Sequence, residues 1–259
     1  MGHRSLLHLA GSLILVCLLG AAATRAEVTA THDTIITFNS KIFPRVLPRH
    51  GRAPVRIQIE GHIKARKSRE PPALATLELA IHKAADLFHR GLPVCDVALI
   101  DPASTAGALA ACPGSKIGHG RIRAQSTFSG THNFYFNGNV VLFNGRLENG
   151  RPAILMHVFN PTPPTSVVFP LTISLRKGRY GTVLTAHVRL GHWSRITDFK
   201  LVLSRTYRYH GKQMSYLNAS CPAPKGFSIG ISPFVLATLS FADGTQSKIA
   251  MVNSCKVSH

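Results

Sequence analysis

The chain has 259 residues, of which 30 are Lys or Arg and only 11 are Asp or Glu, so its formal net charge is +19. Hydrophobic residues make up 45% of the chain, which is enough for a core and excludes an intrinsically disordered protein. The chain also lacks the short repeats of collagen and coiled coils. Its length allows one large domain or two small ones.

The first 26 residues have the three-part pattern of a secretory signal peptide. Arg4 lies in a short basic start, an apolar run continues to Gly20, and small residues follow. We expect cleavage after Ala26, with Ala23 as the alternative. The apolar run is shorter than the roughly 20 residues of a membrane-spanning helix. The pattern predicts a secreted or cell-envelope-associated protein with no transmembrane segment in the mature chain, 27–259, whose net charge is 28 − 11 = +17.

Most of the mature chain is predicted to form strands, because apolar and polar residues alternate with the period of a half-buried strand. The segments that show this alternation are 55–60, 76–81, 171–176, 183–190, 199–203 and 235–241. Turn dipeptides are found at Asn137-Gly138, Asn144-Gly145, Asn149-Gly150 and Asp243-Gly244. The three hairpins that we predict pair 140–147 with 152–159, 168–176 with 182–190, and 234–241 with 245–252.

Helical patterns are rare. The clearest is 104–111, where Ser104 is suited to cap the helix and Pro113-Gly114 to end it. A second short helical turn is expected at 83–89. The predicted fold is therefore an all-β, antiparallel β-sandwich, Ig-like or jelly-roll-like, with one short helix. We expect a single unit over 27–259, and the prolines near 160–166 mark a possible boundary inside it.

Four cysteines remain after the signal peptide, and an even number in an oxidising compartment predicts two disulfides. Three pairings are possible, and we expect the local one, Cys95 with Cys112 and Cys221 with Cys255. A zinc site would need close pairs such as Cys-x-x-Cys, which the sequence lacks.

Several segments together resemble a group of exported actinobacterial proteins of unknown function. They are Gly91-Leu92-Pro93-Val94-Cys95, Ala108-Leu109-Ala110-Ala111-Cys112, Ile117-Gly118-His119-Gly120, Gly178-Arg179-Tyr180-Gly181-Thr182 and Ser215-Tyr216-Leu217-Asn218-Ala219-Ser220-Cys221-Pro222. The resemblance covers most of 34–255 and implies secretion and paired cysteines. It implies no activity, and the shared residues are those of turns and architecture.

Motifs of catalysis or cofactor binding are missing from the sequence. It contains no Gly-x-Ser-x-Gly elbow, P-loop, His-x-His or His-Glu-x-x-His, so we predict no metal or cofactor. A glycosidase needs two carboxyl groups across the scissile bond. We interpret the scattered acids as surface residues, although a distant pair can meet in a fold: Glu60, Glu78, Glu148, Asp198 and Asp243.

The surplus of cations is the strongest physical signal in the sequence. The densest run predicted to bind anions is Lys64, Arg66, Lys67 and Arg69. Two smaller groups are Arg121 with Arg123, and Arg205 with Arg208, the latter interleaved with Tyr207 and Tyr209. The positive charge predicts polyanionic partners, which outside a cell are anionic polymers of the envelope, acidic lipid headgroups or extracellular DNA.

We therefore expect an exported, non-enzymatic binding or structural protein with a basic surface. The alternative is a carbohydrate-active or other hydrolytic enzyme on a sandwich scaffold, which would need two acids or a Ser/His pair in one pocket. In a third interpretation the charge serves solubility and the partner is another protein, which an exposed apolar strand edge would favour.

Overall fold

The structure, a computed structural model, describes residues 26–31, 33–67, 70–126, 134–188 and 194–258. Its strands are β1 (Glu27–Ala30), β2 (Thr34–Phe43), β3 (Val46–Leu47), β4 (Ala53–Pro54), β5 (Arg56–Ala65), β6 (Leu74–His82), β7 (Ala85–Leu87), β8 (Cys95–Asp96), β9 (Lys116–Ser126), β10 (Phe134–Arg146), β11 (Pro152–Pro161), β12 (Pro164–Leu175), β13 (Tyr180–His187), β14 (Ser194–Leu203), β15 (Thr206–Tyr209), β16 (Lys212–Ser215), β17 (Leu217–Ala219), β18 (Ile229–Phe241) and β19 (Gln246–Val257). Its helices are α1 (Thr105–Ala111) and a single 3-10 turn, Val97–Leu99.

The predicted all-β fold with one short α-helix is confirmed, and most of its strands belong to one large mixed sheet. The strand order is β1-β2-β5-β14-β9-β10-β11-β12-β13-β6-β18-β19-β3, with β8 beside β10. The sheet curls into a half-barrel, so that β19 near one end contacts β1 and β2 at the other. At this seam the buried Asn253 amide donates a hydrogen bond to Ser40 Oγ at 2.8 Å. Two small sheets, β4-β17-β7 and β15-β16, complete the fold.

The core fills the inside of the curled sheet because apolar side chains occupy every second position of most strands. In β2 the buried residues include Ile36 and Phe38, and in β19 they include Ile249 and Met251. The side chains between them point outward, as the sequence alternation predicts.

The three predicted hairpins are confirmed by the pairs β10–β11, β12–β13 and β18–β19, and positions 189–190 of the second hairpin lie outside the described residues. Gly150 and Gly244 have positive φ and occupy turns, as predicted. The turns predicted at Asn137-Gly138 and Asn144-Gly145 are wrong, because both pairs lie inside β10. A side chain at Gly145 would collide with Leu155 and with the Cys95 carbonyl oxygen, so this glycine permits close packing within a sheet.

Helix α1 begins as predicted, since Ser104 Oγ accepts a hydrogen bond from the Gly107 amide at 3.1 Å. The helix and the Cys95–Cys112 disulfide cover the outer face of β10 and β11, forming a second small core with Phe143 and Leu155. These two strands are therefore buried on both faces over part of their length.

The helical turn predicted at 83–89 is wrong, because Ala85–Leu87 forms strand β7 and pairs with β17. Long-range pairing outweighs a weak local helix preference here. The proline-rich segment 160–166 contains the tight turn between β11 and β12, where Pro161 faces Pro164 across the ladder.

The second predicted disulfide, Cys221–Cys255, is also confirmed, and it joins the segment after β17 to β19. Within the described residues, no helix has the length and apolar character needed to span a membrane. The predicted signal peptide lies outside the described residues, apart from Ala26.

Candidate functional site

A groove of about 470 Å³ crosses the outer face of four neighbouring strands, β5, β14, β9 and β10. These strands come from distant parts of the chain, because the sheet order does not follow the chain order. Alternation along each strand directs polar side chains into the groove and apolar ones into the core.

Strand register aligns the polar side chains of the groove in two rows. The first row contains His62, Asp198, Arg123 and Asn137, and the second contains Glu60, Lys200, Arg121 and Asn139. Directly opposed Cβ atoms on neighbouring antiparallel strands lie about 5 Å apart. Each row is thus a continuous line of polar groups across the sheet.

Asp198 is held in the ionised form. Its Oδ1 lies 2.6 Å from His62 Nδ1, and Thr197 Oγ1 donates a hydrogen bond to its Oδ2 at 2.7 Å. Burial opposes ionisation, but the hydrogen bonds from Thr197 and His62 and the nearby positive charges keep the pKa of Asp198 below its usual value.

Glu60 is likewise ionised and paired with a cation. Lys200 Nζ lies 2.6 Å from its Oε1, and Gln58 Nε2 donates to the same oxygen at 2.8 Å. The hydrogen bond from Lys200 is the largest cause that lowers the pKa of Glu60, and it outweighs the opposing effect of burial. The acids of the groove therefore lie on its β5–β14 side, each beside its own partner.

The β9–β10 side of the groove carries cations and amides. The Arg123 guanidinium stacks 3.9 Å from the centroid of the Tyr135 ring, whose side chain is half exposed. Arg121 is exposed and forms no ion pair with any described acid. Its neighbour on the adjacent strand β14 is Lys200, which has the same charge. Since Lys200 is already paired with Glu60, an anion placed here would meet the free guanidinium group of Arg121.

Of the predicted anion-binding residues, Lys64 borders the groove. It lines an adjoining hollow of about 420 Å³ together with Arg123 and Tyr135. Arg66 and Lys67 are exposed in the turn after β5, where their amides bind the carbonyl and the carboxylate of Asp33. Arg69 lies outside the described residues.

Arg205 and Arg208 lie beyond the opposite end of β14 from Lys64. Arg205 is half-buried, and its Nη2 donates to the Gly114 carbonyl at 3.4 Å. Tyr207, in β15, places its hydroxyl 2.8 Å from the Arg90 carbonyl oxygen. Arg208 is exposed on β15. The structure therefore does not join this group with the groove, and anion binding by it stays a prediction.

A Ser/His pair, the alternative signature of an enzyme, lies near α1. Ser166 Oγ lies 3.3 Å from His157 Nε2, which lies 2.9 Å from the Ala103 carbonyl oxygen. A carbonyl only accepts hydrogen bonds, so Nε2 carries the proton and is unable to take one from Ser166. The Ala103 amide donates to Ser166 Oγ at 3.2 Å. These contacts fasten the segment before α1 to β11 and β12.

Buried histidines make stability pH-dependent. Burial is the main cause that lowers the pKa values of His157 and His82 below their ordinary 6.5. As the pH falls through about 6.5, these histidines take up protons in the unfolded chain but not in the folded chain, so the free energy of unfolding declines. We expect a lower Tm at pH 5.5 than at pH 7.5. His157→Gln should remove about half of this difference, because two such histidines contribute to it.

Differential scanning calorimetry at the two pH values tests this expectation. His50→Gln, which changes an exposed histidine, is the matched control and should keep the wild-type difference. An unchanged difference in His157→Gln would contradict the assignment.

Arg121 and Arg123 stand out in the sequence as a basic group, but the sequence does not show which side chains surround them. The sequence alone indicates Glu60 and Asp198 as scattered surface acids and Asn137 as part of a turn. Outward polar alternation in 119–125 and 135–139 is the signal that marks these strands as one face. No local sequence pattern predicts that 58–62 pairs with 198–202.

Among the described residues, no group of three or more His, Cys, Asp or Glu side chains is arranged to hold a metal ion. The resemblance to exported actinobacterial proteins stays a prediction. Comparison with known proteins finds no matching family model, no similar curated protein and no similar solved structure.

Proposed function

We propose that the protein is exported and binds an acidic polysaccharide in the groove between β5 and β10, without catalysing a reaction on it. One observation carries this proposal: two arginines on β9 and two asparagines on β10 face the groove together, and neither strand contributes an acid to it. The acids on the far side are already paired with His62 and Lys200.

The side-chain chemistry suits a charged sugar chain. Guanidinium groups bind carboxylate or sulfate groups through paired hydrogen bonds. The amides of Asn137 and Asn139 offer donors and acceptors to hydroxyl groups. Tyr135 adds a partly exposed ring beside Arg123. Four strands span roughly 15 Å, which is wider than a single small anion requires and suits a polymer.

Two further features support an exported protein. Two disulfides are typical of oxidising compartments outside the cytosol. The excess of Lys and Arg also attracts polyanions within a Debye length of about 8–10 Å.

A hydrolytic enzyme is the second candidate, because Glu60 and Asp198 lie in the same groove. Acid catalysis of glycoside cleavage needs a carboxyl group whose pKa is raised, so that it holds a proton to donate. Both carboxyl groups instead have lowered pKa values, through Lys200 for Glu60 and through Thr197 and His62 for Asp198. The groove therefore supports binding better than hydrolysis.

Isothermal titration calorimetry with polygalacturonate, a polymer of carboxylated sugars, tests the proposal. The wild type should bind, and Arg121→Gln combined with Arg123→Gln should weaken binding about a hundredfold, since each charged hydrogen bond contributes about 1.5–3 kcal/mol. Uncharged dextran should not bind.

The control variant combines Arg151→Gln with Lys177→Gln, which removes the same charge at exposed turns elsewhere. It should bind nearly as the wild type does. Equal losses in the two double variants would show that only net charge matters and would overturn the groove as the site. New reducing ends in the incubated polymer, lost in Glu60→Gln or Asp198→Asn, would favour the enzyme.

A further inference from the structure

Apolar side chains are exposed together where β18 begins and β19 ends. We call the following set the β18–β19 patch: Val46, Phe227, Ile229, Ile231 and Val252, whose exposed fractions are 52%, 65%, 58%, 72% and 42%. Large exposed apolar groups that cluster in this way mark interaction surfaces.

Strand geometry places four of these side chains on one face of the sheet, and Phe227 precedes them in the loop before β18. Ile229 and Ile231 point outward from β18, while Gly230 between them is buried. On β19, Ser254 faces Ile231, so Val252 is the diagonal neighbour of Ile231. Val46 of β3 pairs with Lys256, next to Ile229.

The loop that carries Phe227 is tied to the rest of the fold, although the Phe227 ring is exposed. The Arg49 guanidinium donates hydrogen bonds to three carbonyl oxygens of its loop, those of Ala223 at 2.6 Å, Pro224 at 2.8 Å and Phe227 at 2.6 Å. The Cys221–Cys255 disulfide ties the start of the same loop to β19. A fixed loop that presents an aromatic ring loses little entropy when the ring is buried by a partner.

Cations surround the patch. Arg45, Lys225 and Lys256 are exposed beside it, and the Lys256 amide bonds to the Arg45 carbonyl at 2.8 Å. The segments 220–241 and 246–258 contain no acid at all. The neighbouring β1 contributes one, Glu27.

We propose that the β18–β19 patch docks on an anionic lipid bilayer. Apolar side chains enter the boundary between headgroups and acyl chains, while Arg45, Lys225 and Lys256 meet the negative headgroups. A second copy of this chain is a poorer occupant, because a symmetric contact would bring these cations together. Five side chains are also few for a stable dimer, which buries about 800 Å² per partner.

Co-sedimentation of the purified protein with vesicles tests the proposal. Vesicles of phosphatidylcholine containing about one third phosphatidylglycerol should bind the protein, and pure phosphatidylcholine vesicles should bind it far less. Phe227→Ser combined with Ile231→Ser should weaken partitioning by about tenfold or more, because two apolar side chains no longer enter the bilayer. Leu175→Ser, which changes an exposed apolar side chain outside the patch, is the control and should have no effect.

The groove and the patch are tested separately. Arg121→Gln with Arg123→Gln should keep most vesicle binding, and Phe227→Ser with Ile231→Ser should keep polygalacturonate binding. Three results would overturn the proposal. The wild type does not bind the anionic vesicles, or the Phe227→Ser/Ile231→Ser variant binds them as tightly as the wild type. In the third, Leu175→Ser loses as much vesicle binding as that variant does. A wild-type dimer in sedimentation velocity that dissociates in the patch variant would assign the patch to self-association and would also overturn it.

Discussion

Replacing both Cys221 and Cys255 by alanine is expected to lower the free energy of unfolding by about 4 kcal/mol, because the disulfide closes a loop of more than thirty residues in the unfolded chain. Both sulfurs belong to buried residues in contact with the main core. The Cys221 amide also donates to the Pro48 carbonyl at 2.8 Å, so the bridge links three separate segments. Alanine avoids leaving a polar atom in that core.

Urea unfolding followed by circular dichroism measures this loss. Cys95→Ala with Cys112→Ala is the comparison, and we expect a smaller loss of about 3 kcal/mol from its shorter loop. A loss below about 1 kcal/mol for the Cys221/Cys255 variant would contradict the expected role of this disulfide.

Gly120→Ala is expected to destabilise the protein by about 3 kcal/mol or more. Gly120 faces Leu201 across the β9–β14 ladder, and any side chain there would collide with the Lys200 carbonyl oxygen. That oxygen belongs to the backbone and is unable to turn aside, so the two strands must separate. Since β9 carries Arg121 and β14 carries Lys200, the groove should bind polygalacturonate more weakly as well.

Gly181→Ala is the matched control for this change. Gly181 also lies in a strand, β13, but a side chain there meets only Lys83 at ordinary contact distance, 3.6 Å for Cα. The free energy of unfolding of the Gly181→Ala variant should stay within about 1 kcal/mol of the wild-type value, or rise because alanine lowers the entropy of the unfolded chain. Similar losses in the two variants would show that glycine matters for its flexibility and not for the close approach of β9 to β14.

Local elements of this fold are readable from the sequence, and distant pairings are not. The β12–β13 and β18–β19 hairpins follow from alternation and short connections. By contrast, β14 lies between β5 and β9, strands that precede it by many residues. No local pattern specifies that neighbour, because half-buried strands with the same alternation offer many pairings of similar energy.

The candidate site shows the same division. Arg121 and Arg123 stand out in the sequence as a basic pair, and Lys64 as part of a basic run. Their position beside Asp198 and Glu60 depends on strand register, because a slip of one residue would turn the arginine side chains to the other face of the sheet. The Asn137-Gly138 pair predicts a turn because Asn-Gly is common in turns, whereas Gly138 in fact packs against Val158 inside β10.

The seam between the two ends of the sheet has a consequence for how the chain folds. Asn253 and Ser40, which bond across it, are 213 positions apart, so this contact has a very high sequence separation. Such contacts form late, because loop closure must be offset by contacts made elsewhere first. Until β19 reaches β2, apolar side chains on the inner faces of both ends of the sheet stay exposed, which makes the unfinished chain prone to aggregation. We infer that β19 acts as the closing element, and that proteolytic loss of it would cost solubility before it cost secondary structure.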